Sequence, residues 1–136
     1  MKMYVITIMD NERSVQVADR CIQSGLVFGN KIEKHPAFSP QNCNVYEELE
    51  KHGYDNAGFI EKYSRPENCI AGFLSHHSLW EKCIELGEPI VIFEHDAVVI
   101  NDIPELPMFD ILSIGKPSYG KFNTPSFLGY GALVSK

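Results

Sequence analysis

Long apolar runs are missing from this sequence. None approaches the roughly 18 residues that a membrane-spanning helix requires. The N-terminus also lacks the basic-then-apolar pattern of a secretory leader. Positive charge is scarce: 12 lysines and arginines face 18 acidic residues, for a formal charge of −6. That balance argues against a nucleic-acid backbone or an anionic membrane as the main partner. A phosphorylated small molecule stays open, provided a metal or local Arg/Lys offsets its charge. Cysteine is sparse and scattered: Cys21, Cys43, Cys69 and Cys83 form no CxxC pair, and read as reduced thiols of a cytoplasmic protein. No repeat, low-complexity tract or composition break marks a second domain, so residues 1–136 are expected to form one domain able to bury its core without staples.

What is present centres on Glu88–Asp102. Ile90 to Phe93 is a short, unbroken, β-branched apolar run entered by Pro89, the pattern of a strand buried on both faces of an α/β sheet. Glu94, His95 and Asp96 follow at once. Burying unpaired carboxylates costs several kcal/mol (roughly), so such a cluster at a strand end is expected to face a cleft, a cation or both. Ligands of open α/β sheets bind outside the carboxyl ends of the strands.

The remaining chain supplies the partners of that strand. Met3 to Met9 reads as a first, central strand, and Asp10–Ser14 as a polar turn. Val15 to Gly25 carries a helical apolar stripe, with Gly25 suited to the C′ position. Arg13 and Arg20 in this strand–loop–helix opening either offset phosphate charge or are solvated surface groups. Val27-Phe28 is a possible second strand, His35–Pro40 a turn-rich segment without regular structure, and Val45–His52 a short helix ended by Gly53. Ser64-Arg65-Pro66-Glu67 fits a capping box opening a longer helix, closed by Gly87 and Pro89. Its stripe is expected to comprise Ile70, Phe73, Leu74, His77, Trp80 and Ile84. On this wheel Ser75 points nearly away from the stripe, His76 lies on its flank, and His77 falls inside it, where a core histidine is favoured over a ligand. Trp80 is a core anchor or a stacking surface for a base or sugar. Asp110–Gly115 and Phe127–Ser135 read as later strands, the second with two glycines permitting close approach. Lys116 and Lys121 lie in the loop between as possible phosphate or sugar contacts.

If residues 94–96 are extended, Glu94 and Asp96 point to one side and converge on an ion, with His95 opposite. Two carboxylates with phosphate oxygens and water suit Mg²⁺ or Mn²⁺, and an imidazole brought round by a turn tilts the preference towards Mn²⁺. Such an ion would neutralise charge on a departing nucleoside diphosphate. Solvated loop carboxylates explain a bare Glu-x-Asp as well.

Several segments, in order, resemble glycosyltransferase family 25, which includes lipooligosaccharide galactosyl- and glucosyltransferases and the collagen galactosyltransferases. Tyr4-Val5-Ile6-Thr7-Ile8 with Arg13 resembles the family's opening strand and arginine-bearing loop. Ile70–Trp80, containing Ser75-His76 and Trp80, resembles its Gly-Cys-x-x-Ser-His-x-x-x-Trp helix. Ile90–Ala97 resembles its Ile-x-Glu-Asp-Asp-Ala strand, Phe109–Leu112 a later strand, and Gly129–Ser135 its Gly-x-x-Ala-Tyr-x-x-Ser block.

The resemblance implies a GT-A-like (Rossmann-like) α/β domain with a mixed, mainly parallel sheet flanked by helices. It also implies a UDP-sugar donor bound through Mn²⁺ or Mg²⁺ and a glycan or other hydroxyl acceptor, with inversion at the transferred sugar. Glu94 and Asp96 take the metal, diphosphate and catalytic roles, with His95 as a further metal ligand. Ser75, His76, Arg13 and Thr7 match donor-binding positions. Two departures stand out: the family's Gly-Cys is Ala71-Gly72 here, and its middle carboxylate is His95, which removes a negative charge. Family members also extend well past residue 136. An inverting transfer needs a general base near the acceptor hydroxyl, for which Asp102 and Asp110 are the candidates. Two other functions fit the same residues: a catalytically silent nucleotide-sugar or carbohydrate-binding domain, and a metal-dependent phosphoesterase.

Overall fold

A computed structural model describes residues 1–60, 64–103, 110–114 and 132–134. In chain order the elements are β1 (Lys2–Thr7), α1 (Glu12–Val27), β2 (Ile32–Pro36), α2 (Val45–Lys51), α3 (Pro66–Leu86), β3 (Ile90–Phe93), β4 (Ile111–Ser113) and β5 (Ala132–Val134). The sheet runs β2-β1-β3-β5-β4. β1 pairs in parallel with β2 and with β3, while β5 is antiparallel to both β3 and β4. The sheet is therefore mixed around a parallel three-stranded part, in keeping with a GT-A-like Rossmann arrangement.

Strand alternation sorts the central residues onto two faces. Tyr4, Ile6, Ile90 and Ile92 pack with Leu79 and Cys83 of α3, while Val5, Val91 and Phe93 pack with Ala18 and Cys21 of α1. All four residues of β3 are buried, which is why that run shows no polar alternation. No described helix is long and apolar enough to cross a membrane.

Helix boundaries depart from the sequence expectation in instructive ways. Asn11 caps α1, its side chain accepting from the Ser14 N–H. The buried positions Ser14, Ala18, Cys21 and Gly25 follow at helical spacing. Gly25 is not the C′ residue, because α1 continues through Val27, so Val27-Phe28 is no strand. The left-handed glycine that follows the helix is Gly29, with φ 73°. Gly25 instead permits close approach to β2: a Cβ there would lie 2.5 Å from Ile32 Cδ1. His35-Pro36, expected to be irregular, completes β2 on the free side of β1. Proline is tolerated there because β2 is an edge strand.

α2 ends at Lys51, with Gly53 at φ 79°, close to the expected limits. α3 begins with Pro66 at its first turn and ends on Gly87 at φ 69°, both as expected. Its capping box does not form: the N-cap is Arg65, without a side-chain bond, and the Glu67 carboxylate accepts from the Tyr46 hydroxyl instead. The apolar stripe is also displaced. Ile70, Ala71, Leu74, Ser75, Leu79 and Cys83 are buried, whereas Ile84 is 74% exposed. The reason is that α3 serves two partners: its N-terminal half packs on Val45 and Leu49 of α2, and its C-terminal half on the sheet. A single straight wheel averages over those two faces.

Candidate functional site

The carboxyl edge of the parallel strands carries Thr7, Pro36 and Phe93, and Glu94–Asp96 projects from it. These three residues are not extended. The Ala97 N–H donates to the Glu94 carbonyl at 3.0 Å, closing a turn with His95 and Asp96 at its corners. Side-chain directions therefore differ from the alternation expected of a strand. Glu94 reaches α3, where His76 Nε2–H donates to its Oε1 at 2.8 Å. His95 reaches the first turn of α1, with Nδ1 3.2 Å from Ser14 Oγ. The two neighbours are thus held by helices on opposite faces of the sheet.

The turn is braced from the α1 side. Ser14 Oγ accepts the Ile8 N–H at 2.9 Å, so one buried hydroxyl joins the end of β1 to His95. Arg20 Nη2–H donates to the Asp96 carbonyl at 3.3 Å, giving that arginine a backbone partner. Further on, the Val99 N–H donates to Ser24 Oγ at 2.9 Å. Ser14 and Ser24 had no distinguishing signal in the sequence, because a serine on a helix becomes a site residue only when a distant loop folds against it.

The other predicted residues separate into surface and interior. Asp96 and Arg13 are exposed, Arg13 in the first turn of α1. Thr7 is fully buried and its hydroxyl donates to the Val5 carbonyl. Ser75 is buried rather than outward-facing: its hydroxyl donates to Ala71 O at 2.8 Å and accepts the Phe38 N–H at 3.0 Å. The second of these bonds ties α3 to the segment after β2. His76 is the member of the Ser-His pair that meets the acidic turn. Trp80 is half-buried beside it, 6.4 Å between ring centroids, and packs against the α3–sheet core. Asp102 and Asp110 are exposed, and no hydrogen bond or ion pair described joins either to Glu94 or Asp96. Lys116 and Lys121 lie outside the described residues.

The electrostatics favour a charged Glu94. The His76 hydrogen bond holds its carboxyl below the usual range, helped by the charges of His76 and His95 and opposed by partial burial. A divalent ion can be tested against this donor set. The ligand atoms of Glu94, His95 and Asp96 do not all lie within 4.8 Å of one another; the one described cluster of three that does is elsewhere, at His52, His77 and Glu81. A three-residue protein cage is therefore not preformed at the turn. Glu94 and Asp96 are both exposed on the same turn, and a Mg²⁺ or Mn²⁺ ion held by two such carboxylates would need substrate phosphates and water to complete its shell.

The family model described as Glycosyltransferase family 25 (LPS biosynthesis protein) matches residues 1–116, a span that includes Glu94, His95 and Asp96. No curated protein matches the chain.

Proposed function

The chain belongs to glycosyltransferase family 25, and we propose that it moves a hexose, galactose or glucose, from a UDP-sugar to a saccharide or other hydroxyl acceptor with the help of Mn²⁺ or Mg²⁺. The observation that carries this reading is the acidic turn Glu94–Asp96, placed directly after the fully buried β3 at the sheet's carboxyl edge. Glu94 and Asp96 would hold the ion, which when bound offsets the negative charge on the departing diphosphate. His76 positions Glu94 through the 2.8 Å bond and keeps it ionised. Arg13, exposed in the first turn of α1, would offset phosphate charge together with the positive end of that helix. Ser75 and Thr7 support the edge from inside and would reach the donor only through the groups they hold. Sparse, scattered cysteines with no CxxC pair suit a reducing compartment, so the cytoplasm is the proposed location.

Titration of UDP by calorimetry, with and without Mn²⁺, tests the binding half. Metal-dependent affinity that disappears in Asp96→Ala is expected. Equal affinity in both conditions, or in both proteins, would overturn the site. Slow release of UDP from a UDP-sugar without acceptor is the expected mark of an enzyme. His95, turned towards Ser14 where the family pattern has a carboxylate, favours one other reading, a silent nucleotide-sugar-binding domain; it predicts the same titration and no release. Phosphate release from simple esters would instead point to a phosphoesterase.

A further inference from the structure

Away from the acidic turn, α2 and α3 meet in a second group of ligating side chains. His52 is the C-cap of α2, and His77 and Glu81 are one turn apart on α3. One ligand atom from each lies within 4.8 Å of the other two. His52 Nδ1 is 3.8 Å from Glu81 Oε1, and His77 Nδ1 is 3.7 Å from Glu81 Oε2. We propose that His52, His77 and Glu81 form a binding site for a Zn²⁺-class transition-metal ion that clamps α2 to α3.

Three observations carry this. The first is the donor set, since two imidazoles and a carboxylate with an open fourth position are a common Zn²⁺ environment, and the ion has no geometric preference that this surface would violate. The second is spacing. Tetrahedral Zn²⁺ with bonds of about 2.0–2.1 Å separates its ligand atoms by about 3.4 Å. The two imidazoles lie 3.8 and 3.7 Å from different oxygens of Glu81, and one ligand atom from each residue lies within 4.8 Å of the other two, so side-chain adjustments of about an ångström bring the three to one ion. The third is His77 itself. Its Nδ1 is buried and has no hydrogen-bond partner, which leaves a polar atom out of water at a cost. Its other nitrogen, Nε2, lies 3.2 Å from the Tyr54 hydroxyl. With the proton on Nε2 and donated to Tyr54, Nδ1 presents a lone pair to the cluster, the outer-shell arrangement that orients ligating histidines.

The site is separate from the acidic turn although His76 and His77 are neighbours in sequence. His76 is committed to Glu94, while His77 turns to the other side of Trp80, among Phe73, Tyr54 and His52. A metal here crosslinks α2 to α3, the helix that carries Ser75 and His76, so its role is to fix α3 against α2 and not to touch a substrate.

The test uses the full chain and Zn²⁺ alone. Calorimetry and thermal melting are expected to show Zn²⁺ bound at this site and a raised melting temperature. His52→Gln and Glu81→Gln should each weaken binding by at least about tenfold, and Tyr54→Phe by a smaller factor up to about tenfold. Glu94→Gln should retain the Zn²⁺-dependent rise in melting temperature that His52→Gln loses, which separates this site from the acidic turn and from any failure of the sugar-transfer reading. Co²⁺ in place of Zn²⁺ should give a tetrahedral spectrum without a thiolate charge-transfer band. No binding by the parent, undiminished binding by His52→Gln or Glu81→Gln, or a thiolate band assigning the ion to a cysteine would each overturn the proposal.

Discussion

His76 Nε2 donates to Glu94 Oε1 at 2.8 Å, so the middle of α3 grips the residue that follows β3. A helix built mainly for packing thereby sets the charge state of the acidic turn. His76→Ala should let the Glu94 carboxyl titrate closer to its ordinary value of 4.5, because the hydrogen bond is the largest influence holding it lower. The stabilisation from this group is full above that ordinary value and is lost as pH falls through the lower folded-state value. Its size should stay below about 1 kcal/mol, since the Glu94 side chain is 54% exposed. Carbon-13 NMR of the Glu94 carboxyl in parent and variant reads this directly; identical midpoints would show that His76 does not control it.

His35 should make the protein acid-sensitive in a different range. Its ring, half-buried between Tyr4 and Ser78, with Nε2 2.8 Å from Ser78 Oγ, titrates below the usual 6.5 because of burial and, second, the Lys82 charge. The folded state thus favours the neutral ring. Stability is retained above 6.5 and declines as pH falls from there towards the lower folded-state value. Urea midpoints measured across that interval should slope less in His35→Gln than in the parent. Parallel slopes would assign the acid sensitivity to other groups.

The displaced stripe of α3 has a direct energetic signature. Leu74 is 1% exposed, at the junction with α2, so Leu74→Ala should cost about 2–5 kcal/mol. Ile84, on the stripe that the sequence alone suggests, should tolerate alanine within about 0.5 kcal/mol because it is 74% exposed. Chemical denaturation of the two variants decides between the faces: comparable losses would favour the straight wheel.

Cys21 should be the chemically silent thiol. It is fully buried under α1, and burial pushes its pKa up to about 11, so almost no thiolate forms near neutral pH. Iodoacetamide applied to the native protein at about pH 8 should label the partly exposed Cys43 and Cys69 well before Cys21. Peptide mapping that finds Cys21 modified first would mean that α1 opens readily from the sheet.

Where the chain's own periodicity had a single cause, it was legible in advance. Ile90–Phe93 is buried on both faces, so four apolar residues in a row sufficed to place β3, and Pro66, Gly53 and Gly87 mark helix ends through local chemistry that no distant partner alters. Tertiary structure decided what depends on two segments meeting. It folded Glu94–Asp96 into a turn, sent Glu94 to His76 and His95 to Ser14, and drew Ser75 inward to hold the Phe38 amide. It also brought His52 beside His77 and Glu81. Spacing along a chain encodes the face a residue occupies on its own element; which neighbour waits on that face is set by how α2, α3 and the sheet divide the apolar surface among them.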